Sequence, residues 1–236
     1  MSNEVLLVLS VVLLYGGVLV AYRLFGCNGL YALNAVATIV ANIEVMIVVD
    51  AFGMEQTLGN VLFAVTFLIT DILSENEGKQ AANRAVFVGI FSSVLFLLIS
   101  QSWLIYTPSA SDWATPAFQT LFTNTPRMLF ASLSVYALSQ MFDVWLYHAW
   151  WHLTEKKSGS SRKFLWLRNN GSTLISQLVN TVLFNLFAFW GTYDAPTLLS
   201  IIVAGYVIYI FTSLLDTPVV YLARRMKEQG KVGKAV

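Results

Sequence analysis

Charge is scarce in this chain. Of its 236 residues only 11% are Asp, Glu, Lys or Arg, where a soluble domain carries roughly 25%. A water-exposed surface cannot be built from so few, which excludes a soluble enzyme and a nucleic-acid binder. The one cysteine, Cys27, excludes an internal disulfide and any CxxC metal or redox site. Two histidines, His148 and His152, supply half of a metal site at most and read as interfacial side chains. There is no Walker A sequence, no HExxH and no Ser/His/Asp set at depth. The chain therefore hydrolyses no ATP by itself, shows no catalytic arrangement, and no cofactor or metal is expected.

What it has instead is apolar length. Hydrophobic residues make up 57% of the sequence and the mean hydropathy is +0.66. Uncharged or nearly uncharged runs recur at Val5–Tyr22, Leu30–Val49, Leu58–Ser74, Ala85–Trp103, Met128–Trp150, Gly171–Gly191 and Leu198–Ala223. Each approaches the roughly 20 residues that cross a bilayer as a helix. The first has Glu4 rather than lysines at its flank and no small-residue cleavage site after it, so it reads as a retained span and not a signal peptide. Strands are not expected, because open sheet edges cannot face lipid and no barrel-type alternation is present. The fold class is all-α: a polytopic transmembrane helix bundle.

Basic residues fix an orientation. Thirteen of the 14 Lys and Arg fall in alternate connections: Arg23, then Lys79 and Arg84, then Lys156 to Arg168, then Arg224 to Lys234 in the tail. The opposite loops carry Glu4, Asp50, Glu55, Asp112 and Asp194. By the positive-inside rule the C-terminus is expected in the cytoplasm and, with seven spans, the N-terminus outside. The remaining basic residue, Arg127, opens the fifth span on the external side. It is read either as an interfacial snorkeler or as a charge turned inward toward a carboxylate or ligand. The polar segment Thr107–Pro126 is either a plain loop or a lid over an external opening, and Ser158–Ser161 is the flexible centre of a cytoplasmic loop.

Polar side chains are costly in hydrocarbon and face the bundle interior. Asn34, Thr38 and Asn42 recur every four residues and share a helix face, with Glu44 turned away from it. Asp71 and Glu75 stack one turn apart, with Lys79 and Arg84 near enough to neutralise a plain cytoplasmic helix end. Tyr136, Gln140 and Asp143 share a face. So do Thr173, Gln177, Asn180, Thr181, Phe184 and Asn185, with Trp190 beyond them, and the last span offers Tyr209, Thr212, Ser213 and Asp216. A single Asn or Thr is helix-to-helix glue, but four helices that present amides or carboxylates suit a flat, neutral, polar solute. Amides and carboxylates read the hydrogen-bonding edge of a heterocycle, and Phe or Trp stacks on its face. Gly16-Gly17, Gly89 and Gly205 read as close-packing points, and Gly171, Gly191 and Pro218 as bends or helix ends.

Several segments together resemble the queuosine precursor transporter family, also grouped as vitamin uptake transporters. They are Thr70-Asp71-Ile72-Leu73-Ser74-Glu75 through Arg84, Arg127, Ala137 to Asp143, Asn170-Gly171-Ser172-Thr173, Ser176-Gln177, Asn180-Thr181 and Phe187 to Trp190. Members of that family carry an Asp where this chain has Asn180. The resemblance implies a six-helix core similar to the substrate-binding subunits of energy-coupling-factor transporters, here residues 29–226. An added N-terminal helix would occupy 1–28 and a basic tail 227–236. It implies uptake across the cytoplasmic membrane of 7-deazaguanine bases such as the 7-cyano or 7-aminomethyl precursors or queuine. The substrate-binding residues it and the stripes suggest are Asn42, Asp71, Glu75, Arg127, Gln140, Asp143, Gln177, Asn180, Phe184 and Trp190. Expected partners are that planar guanine-like small molecule and the lipid bilayer, with a second copy of the chain left open and no nucleic acid. Two other readings stand beside it: a substrate-capture subunit of a multi-component importer, and a non-transporting structural or signalling membrane protein.

Overall fold

The computed structural model describes residues 1–123, 126–159 and 163–233. Ser160, Ser161, Arg162 and Lys234 fall outside them. Within the described residues the elements run α1 (Asn3–Glu44), β1 (Val48–Ala51), β2 (Met54–Thr57), α2 (Gly59–Asn76), α3 (Lys79–Trp103), α4 (Thr115–Thr123), α5 (Pro126–Ser158), α6 (Leu165–Phe189) and α7 (Ala195–Glu228). Helices α1, α3, α6 and α7 are long and apolar enough to cross a membrane. The chain is an all-α membrane bundle.

α1 is two helices joined by a reversal. Gly26 has φ 57° and ψ −140°, a conformation outside the helical region that only glycine adopts without strain. Residues 3–25 and 27–44 therefore double back on each other. Tyr22 at the bend reaches Glu77 beyond the end of α2, while Asn3 and Glu4 bond Asp50 and Phe52 at the other end of the bundle. Gly26→Ala is expected to lower stability by about 1–2 kcal/mol, because an L side chain there is strained. The added methyl would also overlap the Gly233 carbonyl. A thermal unfolding scan in detergent checks this, and an unchanged midpoint would contradict the strained turn.

α2 is the central helix. It is buried on every side from Val61 to Ser74, as an all-round apolar helix must be, and α1, α3, α5 and α7 pack around it. Gly89 of α3 is a close-packing point, since a Cβ there would overlap the Tyr136 hydroxyl, and Gly205 is an ordinary contact with Thr181. Gly16 and Gly17 have nothing near them and are not packing points. Gly171 lies inside α6 against Trp150, not at a helix end, because α5, α6 and α7 extend a turn or more beyond their apolar runs. These polar extensions reach past the hydrocarbon, where apolarity no longer marks them.

Two features depart from expectation. A short antiparallel hairpin joins α1 to α2, with Val48 opposite Thr57 and Ala51 opposite Met54. Phe52 and Gly53 both have positive φ, 54° and 72°, as a two-residue turn matched to the strand twist requires. Strand alternation is too brief in eight residues to show against the flanking apolar runs. The segment after α3 is not a lid. Asp112 accepts from the backbone N–H groups of Ala114 and Thr115 at the start of α4. Phe118 and Phe122 of α4 then pack edge-on against Trp103 of α3, at 5.5 and 5.7 Å between ring centroids.

Candidate functional site

The hairpin marks one end of the bundle and the C-terminal helix end marks the other. Between them the polar residues lie in layers. At the hairpin end α2, α6, α7 and β2 enclose a cavity of about 110 Å³. Asn60 opens α2 beneath β2, Asn180, Phe184 and Asn185 share a face of α6, and Tyr209 faces them from α7. The Tyr209 hydroxyl donates to Asn60 Oδ1 at 3.3 Å, which ties α7 to α2 beside the cavity. Gln56 of β2 is buried and its Nε2 has no partner, a free donor beside the cavity. Phe184, Phe189 and Tyr193 form an aromatic wall, with successive centroids 6.0 and 5.5 Å apart. Among the described lining residues the single charged side chain is Glu55.

One layer further in, Gln140 of α5 is fully used. Its Nε2 donates to Thr66 Oγ1 at 2.7 Å and its Oε1 accepts from Thr70 Oγ1 at 3.1 Å. That is a clamp between α5 and α2. Gln177 lies one turn from Asn180, is 1% exposed, and leaves Oε1 unpartnered.

About 10 Å of helix rise from Asn180 toward the tail end comes a layer of acids. Asp71, Asp143 and Asp216 are buried on α2, α5 and α7. Thr173 Oγ1 donates to Asp71 at 2.8 Å, Ser176 Oγ to Asp143 at 2.6 Å, and Asn169 Nδ2 to Asp216 at 2.7 Å. All three donors belong to α6.

The tail end is closed by ion pairs. Arg168 of α6, itself fully buried, grips Glu75 with Nε at 2.9 Å and Nη2 at 2.7 Å. Arg224 of α7 reaches the same carboxylate at 3.0 Å and the Tyr147 hydroxyl donates to it at 2.7 Å. The Arg168 guanidinium also lies over the Trp151 ring, 4.2 Å from its centre. Lys227 and Tyr22 hold Glu77 in the same way, at 2.7 and 2.6 Å.

This placement sorts the expected site residues. Asn180 and Phe184 line the cavity. Gln177, Gln140, Asp71 and Asp143 follow beneath it as a polar column. Glu75 is bonded by Arg168, Arg224 and Tyr147 rather than by Lys79 and Arg84. Arg168, read in sequence as one of five loop cations, is an interior residue because α6 begins at Leu165. Asn42 lies outside the cavity lining and bonds its own helix through the Thr38 carbonyl. Arg127 is exposed and donates to the carbonyls of Phe187 and Trp190 at 2.9 and 2.7 Å, capping the end of α6. Trp190 is 68% exposed and, with Arg127 and Phe130, borders an open apolar hollow on the outside of the bundle. Neither reaches the cavity.

Asn60, Gln56, Glu55 and Tyr209 line the cavity without having been singled out as site residues, as does Asn185 from the α6 stripe. Asn169 and Asp216 complete the acid layer in the same way. For Tyr209, Ser213 and Asp216 a signal was available, since spacings of four and three put them on one face. For Gln56 and Asn60 there was none, because the hairpin that brings them together has no sequence signature of its own.

Comparison with known proteins agrees with this architecture. A family model described as "putative vitamin uptake transporter" matches residues 57–223. The "probable queuosine precursor transporter" of Bacillus subtilis (strain 168) is 37% identical over 209 residues, 89% of each chain. The "queuosine precursor transporter" of Escherichia coli (strain K12) is 30% identical over 155 residues, 66% of this chain and 65% of that one. No solved structure matches the chain, so the likeness to energy-coupling-factor subunits rests on the family resemblance alone. With a membrane bundle and relatives that are transporters, the protein is a multi-pass membrane transporter and not an enzyme. The chain belongs to the vitamin uptake transporter family, among the queuosine precursor transporters.

Proposed function

We propose that the protein imports a planar, uncharged, guanine-like base across the cytoplasmic membrane, a 7-deazaguanine of the kind that precedes queuosine. The observation that carries this reading is the cavity lining: amides on three elements, a tyrosine hydroxyl, one carboxylate and an aromatic wall, with no Lys, Arg or His among the described lining residues. A phosphorylated ligand would need cations there. A neutral lactam or amidine edge needs donors such as Gln56 Nε2 and acceptors such as Asn180, Asn60 or Glu55, with Phe184 flat against its face.

The hairpin end faces outside and the tail end the cytoplasm. Supporting this, Lys79, Arg168, Arg224 and Lys227 gather at the tail end, and Asp50, Glu55 and Asp194 at the other. The cavity then opens toward the substrate supply while the Glu75–Arg168–Arg224 cluster closes the way in.

Binding of 7-cyano-7-deazaguanine, its 7-aminomethyl analogue and queuine to the purified protein tests the reading, with guanine and adenine as controls. At least one deazaguanine is expected to bind saturably. Asn180→Ala should weaken it about tenfold, the cost of leaving a buried polar edge unpaired. No saturable binding to folded, monodisperse protein would remove this substrate class.

A further inference from the structure

The acid layer has a surplus that the cavity does not explain. Thr173, Ser176 and Asn169 of α6 each donate to one carboxyl. Ser74 Oγ on α2 and Ser139 Oγ on α5 have no partner, and neither do Asp71 Oδ1, Asp143 Oδ2, Asn169 Oδ1 and Gln177 Oε1, four acceptors. Two belong to amide side chains of α6, 0% and 1% exposed, that share the face of Thr173 and Ser176. What these four acceptors lack is a donor. A buried carboxylate with no cation beside it takes up a proton rather than keep its charge in a dry interior.

No cation of the protein fills the need. Among the described residues, no Lys, Arg or His is bonded to any of the three acids. The titratable and charged groups that face the layer are Tyr15 from α1, Tyr147 from α5, and Glu75, Arg168 and Arg224 on the tail side. The Tyr15 hydroxyl is committed to the Thr212 carbonyl at 3.1 Å, and the Tyr147 hydroxyl to Glu75. Arg168 and Arg224 are committed to Glu75 as well. Nor do the described residues contain a group of three acid, His or Cys ligands suited to a metal ion.

We propose that Asp71, Asp143 and Asp216 form a proton-binding site that couples import of the base to an inward proton movement. The inference rests on the import reading for its transport half only. The site lies between the cavity and the ion-paired gate, on α2, α5 and α7, all donor-bridged to α6. With its protons in place the layer is close to neutral and the four helices pack dry. Without them, carboxylates on three helices repel across a low-dielectric gap, which opposes the closed packing. A proton taken from outside and released inside changes which packing is favoured, and the base and one positive charge cross together.

Two measurements test this. Infrared spectroscopy of the purified protein at neutral pH is expected to show a protonated-carboxyl band that Asp71→Asn and Asp143→Asn each diminish. In liposomes with 7-cyano-7-deazaguanine as probe, an inward proton gradient should raise wild-type uptake at least tenfold, and a protonophore should abolish the rise. The ratio of uptake with and without the gradient should fall to about one in Asp143→Asn. Absence of the band in wild type overturns the proton site whatever the substrate. Uptake that ignores the proton gradient, or follows a sodium gradient, overturns the coupling. A band that behaves as stated in a protein that binds no deazaguanine supports the proton site and removes the substrate reading alone.

Discussion

Arg168→Ala is expected to destabilise the protein by about 3–5 kcal/mol, enough to prevent recovery of monodisperse material at ordinary temperature. Glu75 is 1% exposed and Arg168 0%, so truncating the arginine leaves a buried carboxylate that has lost its bidentate partner. Arg224 remains at 3.0 Å but is partly exposed, and Tyr147 contributes one neutral donor. The lost Trp151 stacking adds to the cost. Removing both charges is the informative control. Arg168→Met with Glu75→Leu replaces an ion pair by packing, which recovers most of the loss, because Arg224 can turn to Glu228 at 3.5 Å and to water. Thermal midpoints of the two single variants and the double variant check this. A mild Arg168→Ala phenotype would mean that the tail end is not sealed by this pair.

Gly89→Ala is expected to cost about 1–3 kcal/mol, large for one methyl group. The new Cβ would overlap the Tyr136 hydroxyl. That hydroxyl has no slack: it accepts from Asn34 Nδ2 at 3.1 Å, and the same amide donates to the Ala85 carbonyl at 2.8 Å. Tyr136 is 3% exposed and packs against Phe63, so the ring cannot swing away. Tyr136→Phe removes the overlapping atom. Alone it costs about 1 kcal/mol for the lost hydrogen bond, yet in the double variant it should restore most of what Gly89→Ala loses. A double-mutant cycle on unfolding free energies reads the coupling. Strict additivity would show that α3 and α5 do not meet at this point.

Much of this molecule is legible in its residues alone. Scarce charge and repeated apolar runs leave no other solvent than a bilayer, and that alone gives the all-α class. Interior polarity is legible too. The faces Tyr136–Gln140–Asp143 and Thr173–Gln177–Asn180 turn inward because hydrocarbon penalises them outside, and helical spacing reports which residues share a face. Spacing does not report depth or partners. It placed Asp71, Glu75 and Asn180 in one candidate site, whereas the bundle separates them into a cavity, an acid layer and an ion-pair seal along the same axis.

The partners came from distant chain segments. Arg168 lies 93 positions from Glu75, and the sequence showed only a cation among other cations just before an apolar run. Its burial follows from a helix that starts three residues earlier and packs against α5. Gln56 and Asn60 came to the cavity through an eight-residue hairpin whose turn depends on two positive φ angles, a backbone property with no hydropathy signal. What the sequence determined by itself is therefore the solvent, the helical class and which side chains must turn inward. Each is set by a local transfer cost. Which of those side chains meet, and at what depth, only tertiary packing decides, because contacts between helices depend on register and crossing and not on local cost.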